Sequence, residues 1–436
     1  MTDDTTAPGR IDEGEGQPPS PAGKPRDREG EGQLPSSAGN LRDHPQFLRM
    51  WAGQASGAVG DQVFPVALSL YVLHEGGGAG QVGLVLAGRA VALVVCLLIG
   101  GVIADRLRRT RILIAADAFR AVILLATALL LAWLPLGLLP LVTALVGAGE
   151  ALSRPASRSL LPNLLPDVLL ERGNALVSAA QRGAAVCGAL VGVTAVTLIG
   201  VRPALLVTSA VFALAALCVW RVSDTRPTTA SRTSALGEAA AGLRAIRRRP
   251  WVLTVMGTVC LHLFAGSATA LTLLPIVARR DFGGDVAYGA VLAAMGIGAL
   301  PAIALAGRWQ PRARGAVSML GLTGYALLPL SLAAPFPLPV VMLCFALGGF
   351  VVELFFVYWV SALQRAFPDE LLGKVFALDQ LGAYALLPLG FALVGPTVAV
   401  LGMTGTLVVG GAVVAVSSLV CLAVPGVLRF EDPVEK

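Results

Sequence analysis

The chain has 436 residues, 56% of them hydrophobic and only 14% charged, with a formal charge of +6. Soluble domains carry about 25% charged residues, so these proportions exclude an ordinary water-soluble globule and place most of the chain in lipid, where only helices or closed barrels satisfy the backbone. Barrel strands alternate apolar and polar over roughly ten residues; the apolar runs here are long and unbroken, and the chain reads as an all-α membrane protein.

Residues 1–46 are rich in Gly, Pro, Glu, Asp and Arg and read as a disordered cytoplasmic tail. Within it EGEGQPPSPAGKPRD (13–27) recurs as EGEGQLPSSAGNLRD (29–43), a tandem copy with 11 of 15 positions identical. Apolar runs then follow at 47–74, 81–104, 111–133, 138–160, 174–200 and 203–221. A second set runs at 251–278, 286–307, 315–334, 338–363, 373–401 and 404–425. Each is near the ~20 residues needed to cross hydrocarbon. The expectation is twelve transmembrane helices in two six-helix bundles, 47–221 and 251–425. Residues 222–250 form a polar, basic cytoplasmic linker, whose LGEAAAGLRAIRRR has the spacing of an amphipathic helix on an anionic leaflet. Residues 426–436 read as a second cytoplasmic tail.

The distribution of bases orients this layout. Of the 33 lysines and arginines, only Arg202, Arg279 and Arg280 fall in outer loops and only Arg89, Arg120 and Arg182 within the membrane. All others lie on the side that faces the cytoplasm under the positive-inside rule, so both termini are expected inside a bacterial plasma membrane. Bases spread between apolar runs, rather than along one face, argue against nucleic acid. All six cysteines sit inside apolar runs without a C-x-x-C, as packing residues, so no disulfide is expected. The three histidines, His44, His74 and His262, are far apart in sequence. No metal site and no cofactor is expected.

Between the second and third runs stands GGVIADRLRRTR (100–111). It resembles the G-x-x-x-D-R-x-G-R-[RK] loop of the major facilitator superfamily: Gly101, Asp105, Arg106 and Arg109 match, while Arg108 replaces a glycine and Thr110 a base. The first run, with Gly60-Asp61 at its middle, resembles the opening of the superfamily's drug and siderophore exporters. So do the segments EALSRPASRSLLPNLLP, GLRAIRRRPW and QRAFPDELLGKVFAL. The fifth helix carries part of an antiporter motif in Gly188 and Gly192, and Thr143 stands where the family places an intramembrane arginine. The resemblance implies a gate at the Gly101–Arg109 loop, with Asp105 accepting hydrogen bonds from a neighbouring helix end. It also implies a central cavity lined by helices 1, 4, 7 and 10.

Ionisable residues inside a membrane are costly and mark cavities or partners. Near mid-depth lie Asp61, Arg120, Glu150, Arg182, His262 and Glu353; Arg89 lies nearer the outer side, Asp117 and Asp379 nearer the inner. Asp117 and Arg120 are three apart and read as a local structural pair. Arg89 and Arg182 are expected to neutralise Asp61 and Glu150 within the first bundle. In the second bundle Glu353 and Asp379 have no basic partner at membrane depth except His262. An unpartnered acid in low dielectric exchanges protons near neutral pH, so Glu353 is the first candidate for proton coupling and Asp61 the second. Cavity and substrate candidates are Glu150, His262, Arg182, Phe350, Phe356 and Trp359. The aromatic run around Glu353 suits an amphipathic, even cationic, ligand.

The expected activity is secondary active export of a hydrophobic or amphipathic small molecule (antibiotic, drug or siderophore-like) coupled to protons. The alternatives are metabolite uptake by the same fold, or a non-transporting receptor or scaffold. No P-loop supplies ATP, and no clustered nucleophile and base indicates an enzyme. The partners expected are the substrate, protons and membrane lipid, with a monomeric chain.

Overall fold

The computed structural model describes residues 40–104, 108–223 and 242–432. Most of the amino-terminal tail with its duplication, the gate residues Asp105 and Arg106, and the first half of the linker lie outside the described residues. From Asn40 onward the chain forms one unit.

The first bundle comprises α1 (Pro45–His74), α2 (Ala79–Ala104), α3 (Arg109–Leu130), α4 (Leu139–Leu164), α5 (Asp167–Ile199) and α6 (Val201–Trp220). In the second, α7 runs through Pro250–Leu261, a π-helical turn at His262–Ser267, and Ala268–Asp281. Then come α8 (Asp285–Arg308), α9 (Arg314–Thr323 continued by Leu327–Ala333) and α10 (Leu338–Ala366). The last long run comprises Asp369–Tyr384 and Leu387–Cys421. Within it Gly402 adopts φ 71°, a left-handed conformation open to glycine. That residue divides the run into α11, ending at 401, and α12 (403–421). Eleven helical stretches among the described residues are long and apolar enough to span a membrane, and the last of them, Leu371–Cys421, holds these two. The layout therefore agrees with the expected twelve.

Helices pack closely where glycines remove side chains, as lipid-embedded bundles require. The two halves do this at equivalent places. A side chain on Gly88 of α2 would strike the Pro140 carbonyl of α4, and one on Gly298 of α8 would strike the Ala346 carbonyl of α10. Between the halves, α2 meets α11 where Gly83 lies against the Phe391 carbonyl and Gly80 against Gly395. On the other flank, α5 meets α8 where Gly289 faces Val193 and Gly296 faces Val186. These contacts sit toward the face that carries the turns at 75–78 and 282–284. Toward the opposite, arginine-rich face, a cavity lined by α5, α8 and α10 begins at Val186.

Two segments expected to be peripheral are built into the second bundle. In the linker, 242–247 is helical and its Ile246 is buried in the core that holds Trp251. Residues 426–432, expected as part of a tail, fold back. Phe430 is 1% exposed and packs against Trp251 and Trp359, at ring separations of 6.1 and 5.7 Å. Asp432 accepts from Trp251 Nε1 at 2.8 Å and pairs with Arg249 at 2.7 Å.

Candidate functional site

In the first bundle the charges form two clusters, Arg89–Glu150–Arg154 and Asp61–Arg120–Asp117. Arg89 of α2 grips Glu150 of α4 with two parallel bonds, Nε to Oε2 at 2.8 Å and Nη2 to Oε1 at 2.9 Å. Arg154, one turn along α4, donates to the same carboxylate at 2.5 Å. Arg120 of α3 donates to Asp61 of α1 at 2.6 Å and to Asp117 on its own helix, and its guanidinium lies 4.2 Å from the centre of the Phe212 ring. Glu150, Asp117 and Arg120 are buried. Bidentate, charge-assisted bonds hold such groups where isolated ions would be expelled. The local Asp117–Arg120 pair is present as expected, but the other assignments need correction. Arg120 rather than Arg89 or Arg182 neutralises Asp61, and Arg154 joins Arg89 at Glu150. Its spacing of four from Glu150 was the available signal, since residues so placed share a helix face. A small polar cavity of about 160 Å³ opens on both clusters, with Gln54, Gln62 and Gln181 among its walls.

The second bundle departs further from expectation. Glu353 is not without a basic partner: Arg182 of α5 donates through Nη1 to its Oε2, across the boundary between the halves. Sequence reasoning confined Arg182 to its own bundle, because nothing local in α5 reveals which helix of the other bundle it will meet. His262 does not serve as that partner. Its Nε2 lies 3.1 Å from both Ser417 and Ser418 hydroxyls of α12, and its ring stacks on Tyr325 at 6.4 Å. The π-helical turn that begins at His262 is a local widening of α7 of the kind frequent at functional sites. Tyr325, in turn, shares a 2.6 Å hydrogen bond with Ser267. The serines, Tyr325 and the π-helical turn were not singled out from sequence, and only the serine doublet was visible there.

Asp379 of α11 keeps the character expected of Glu353. It is 8% exposed, and the one side-chain donor it has among the described residues is Trp359 Nε1, at 3.0 Å. Trp359 is buried and stacks on Phe355 at 6.0 Å. Phe350 packs partly buried against the core. Of the gate motif, Gly101 lies in the last turns of α2 and Arg109 opens α3.

Two cavities flank Phe356, which is 39% exposed and lines both. One, of about 160 Å³, lies within the second bundle between His262, Tyr325, Trp359, Asp379 and Tyr384. The other, of about 750 Å³, is a cleft between α5, α8 and α10; its walls are largely apolar, with Leu300, Ile303 and Val357, and the Arg182–Glu353 pair lies in it. That volume falls within the ~300–1,000 Å³ of small-molecule sites. The cavities thus differ in character: a polar one on the first-bundle charges, an aromatic one within the second bundle, and a larger, mostly apolar one between α5, α8 and α10.

A family model described as the Major Facilitator Superfamily matches residues 50–321. The chain is 27% identical over 406 residues to the multidrug efflux pump Tap of Mycobacterium tuberculosis (strain ATCC 25618 / H37Rv), covering 89% of this chain and 95% of that protein. Among solved structures it resembles the nucleoside transporter NupG, with a TM-score of 0.68, 11% identity and coverage of 87% of this chain and 99% of the other. It also resembles a D-xylose–proton symporter, with a TM-score of 0.66, 14% identity and coverage of 90% and 100%.

Proposed function

The chain belongs to the Major Facilitator Superfamily and is a multi-pass membrane transporter, and from that premise we propose that it exports a hydrophobic or amphipathic small molecule in exchange for protons. The observation that carries this reading is the cleft between the halves with the Arg182–Glu353 pair spanning it. An ionised Glu353 ties α10 to α5. Protonation removes the carboxylate charge and with it most of the attraction, so proton occupancy and the separation of the two halves are linked. Asp61, held by Arg120 within the first bundle, is the second coupling candidate. Likeness to Tap, a multidrug efflux pump, supports export, and the apolar walls of the cleft support an apolar ligand. The excess of arginine on one face supports a bacterial plasma-membrane location with both termini in the cytoplasm.

The test uses everted membrane vesicles from cells expressing the chain and an efflux-deficient control. Energising them to acidify the lumen should drive uptake of apolar dyes or drugs, and a protonophore should abolish it. Uptake into right-side-out vesicles instead would establish the opposite direction, and binding without flux in either would establish a receptor.

A further inference from the structure

Among the described residues, the acids at membrane depth divide into two sets. Asp61, Asp117, Glu150 and Glu353 each have a guanidinium. Asp379 has none: Trp359 Nε1 bonds one carboxylate oxygen, and no arginine or lysine lines the cavity around it. The titratable side chains sharing that cavity are His262 on α7, Tyr325 on α9 and Tyr384 on α11; Glu353 on α10 is engaged by Arg182. The remaining walls are aromatic, with Phe355, Phe356 and Trp359. A lone carboxylate among aromatic faces is electrostatically complementary to one positive charge, because ring quadrupoles and the carboxylate both attract a desolvated cation.

Resting on the export reading above, we propose that Asp379 is the residue that selects the substrate's charge, binding the cationic end of an amphipathic amine, and that a proton competes for the same carboxylate. The cavity of about 160 Å³ takes the ammonium group. The bulky apolar body lies past Phe356, in the cleft of about 750 Å³ along Leu300, Ile303 and Val357. One cation, organic or proton, neutralises Asp379 at a time, so loading one releases the other. Glu353 then serves as the tie between the halves and Asp379 as the exchange site.

The experiment measures binding, without flux, to the full chain in proteoliposomes. The probe is trimethylammonium-diphenylhexatriene, a permanent cation, read by energy transfer from tryptophan; its uncharged parent diphenylhexatriene shares the same body. The wild-type protein should prefer the cation, and that preference should fade as buffer is taken from mildly alkaline to mildly acid. Asp379→Asn should weaken cation binding about tenfold or more, the equivalent of one charge-assisted contact, while leaving the neutral probe bound and the pH dependence gone. Asp379→Glu should retain the cation preference. His262→Gln should retain both the preference and its pH dependence, which assigns the titration to the carboxylate. Equal loss of both probes in Asp379→Asn, or pH dependence that disappears with His262→Gln, would overturn the proposal. The neutral probe also separates the two readings, since failure of the wild type to bind either probe would count against the export reading's apolar cleft itself.

Discussion

Arg182 of α5 and Glu353 of α10 are 171 residues apart and form an ion pair that joins the two bundles. The Arg182 side chain is 40% exposed and that of Glu353 only 9%, so the carboxylate depends on the arginine more than the arginine depends on it. Removing one member of a buried pair costs about 3–5 kcal/mol, far more than removing both. Arg182→Met should therefore lower the melting temperature of the purified protein more than the double change Arg182→Met with Glu353→Gln. Partial exposure of the arginine places the single change at the low end of that range.

Glu353→Gln imitates the protonated acid. It should leave substrate binding intact and permit downhill or exchange flux, while proton-driven uphill export fails. Substrate-induced proton movement in liposomes measures this directly. A Glu353→Gln protein that still couples protons to export would remove this residue from the coupling step.

The first-bundle charges carry a graded expectation. Glu150 neutralises two arginines, Arg89 and Arg154, whereas Asp61 shares Arg120 with Asp117. Glu150→Gln leaves two guanidinium groups with no carboxylate between them and should reduce folded yield sharply, in the range of about 3–5 kcal/mol for a broken buried pair. Asp61→Asn leaves Arg120 its second carboxylate and should be milder. Recovery of monodisperse protein after detergent extraction ranks the two, and the reverse order would contradict these pairings.

Glycine contacts separate folding from conformational change. Gly88 lies against the Pro140 carbonyl inside the first bundle, and Gly83 against the Phe391 carbonyl between the bundles. Gly88→Val should destabilise the bundle by about 1–3 kcal/mol through overpacking. Gly83→Val should leave each bundle folded but oppose closure of the face near 75–78 and 282–284. Labelling of a cysteine introduced at Ala79 should then rise in Gly83→Val and not in a wild-type background.

The loop resemblance yields a separate expectation for Asp105. Asp105→Asn should insert normally and transport poorly, because a gate that has lost its acid closes less well. Surface expression and flux measured side by side decide it, and full flux at normal expression would show that the resemblance does not extend to function.

Much of the architecture was legible because it depends on local quantities. Runs of about 20 apolar residues must cross the bilayer as helices, and arginines between them record which loops stay on one side. The local pair Asp117–Arg120 followed from helical spacing alone, and the loop at Gly101–Arg109 pointed to the family that the match over residues 50–321 establishes. What the sequence could not specify was which charge meets which. Arg182 looked like a first-bundle counterion and Glu353 like an unpartnered acid until α5 and α10 were brought together across the cleft. Asp379, noted with Glu353 as lacking a base, retained that property because Trp359, rather than an arginine, reached it. Ion pairs inside a membrane are set by side-chain distances of a few ångströms between helices far apart in sequence, while hydropathy and charge counts see only one helix at a time. Phe430 makes the same point for packing: it stands in a short polar stretch near the end of the chain, and only the fold shows that the gap between Trp251 and Trp359 is where it belongs.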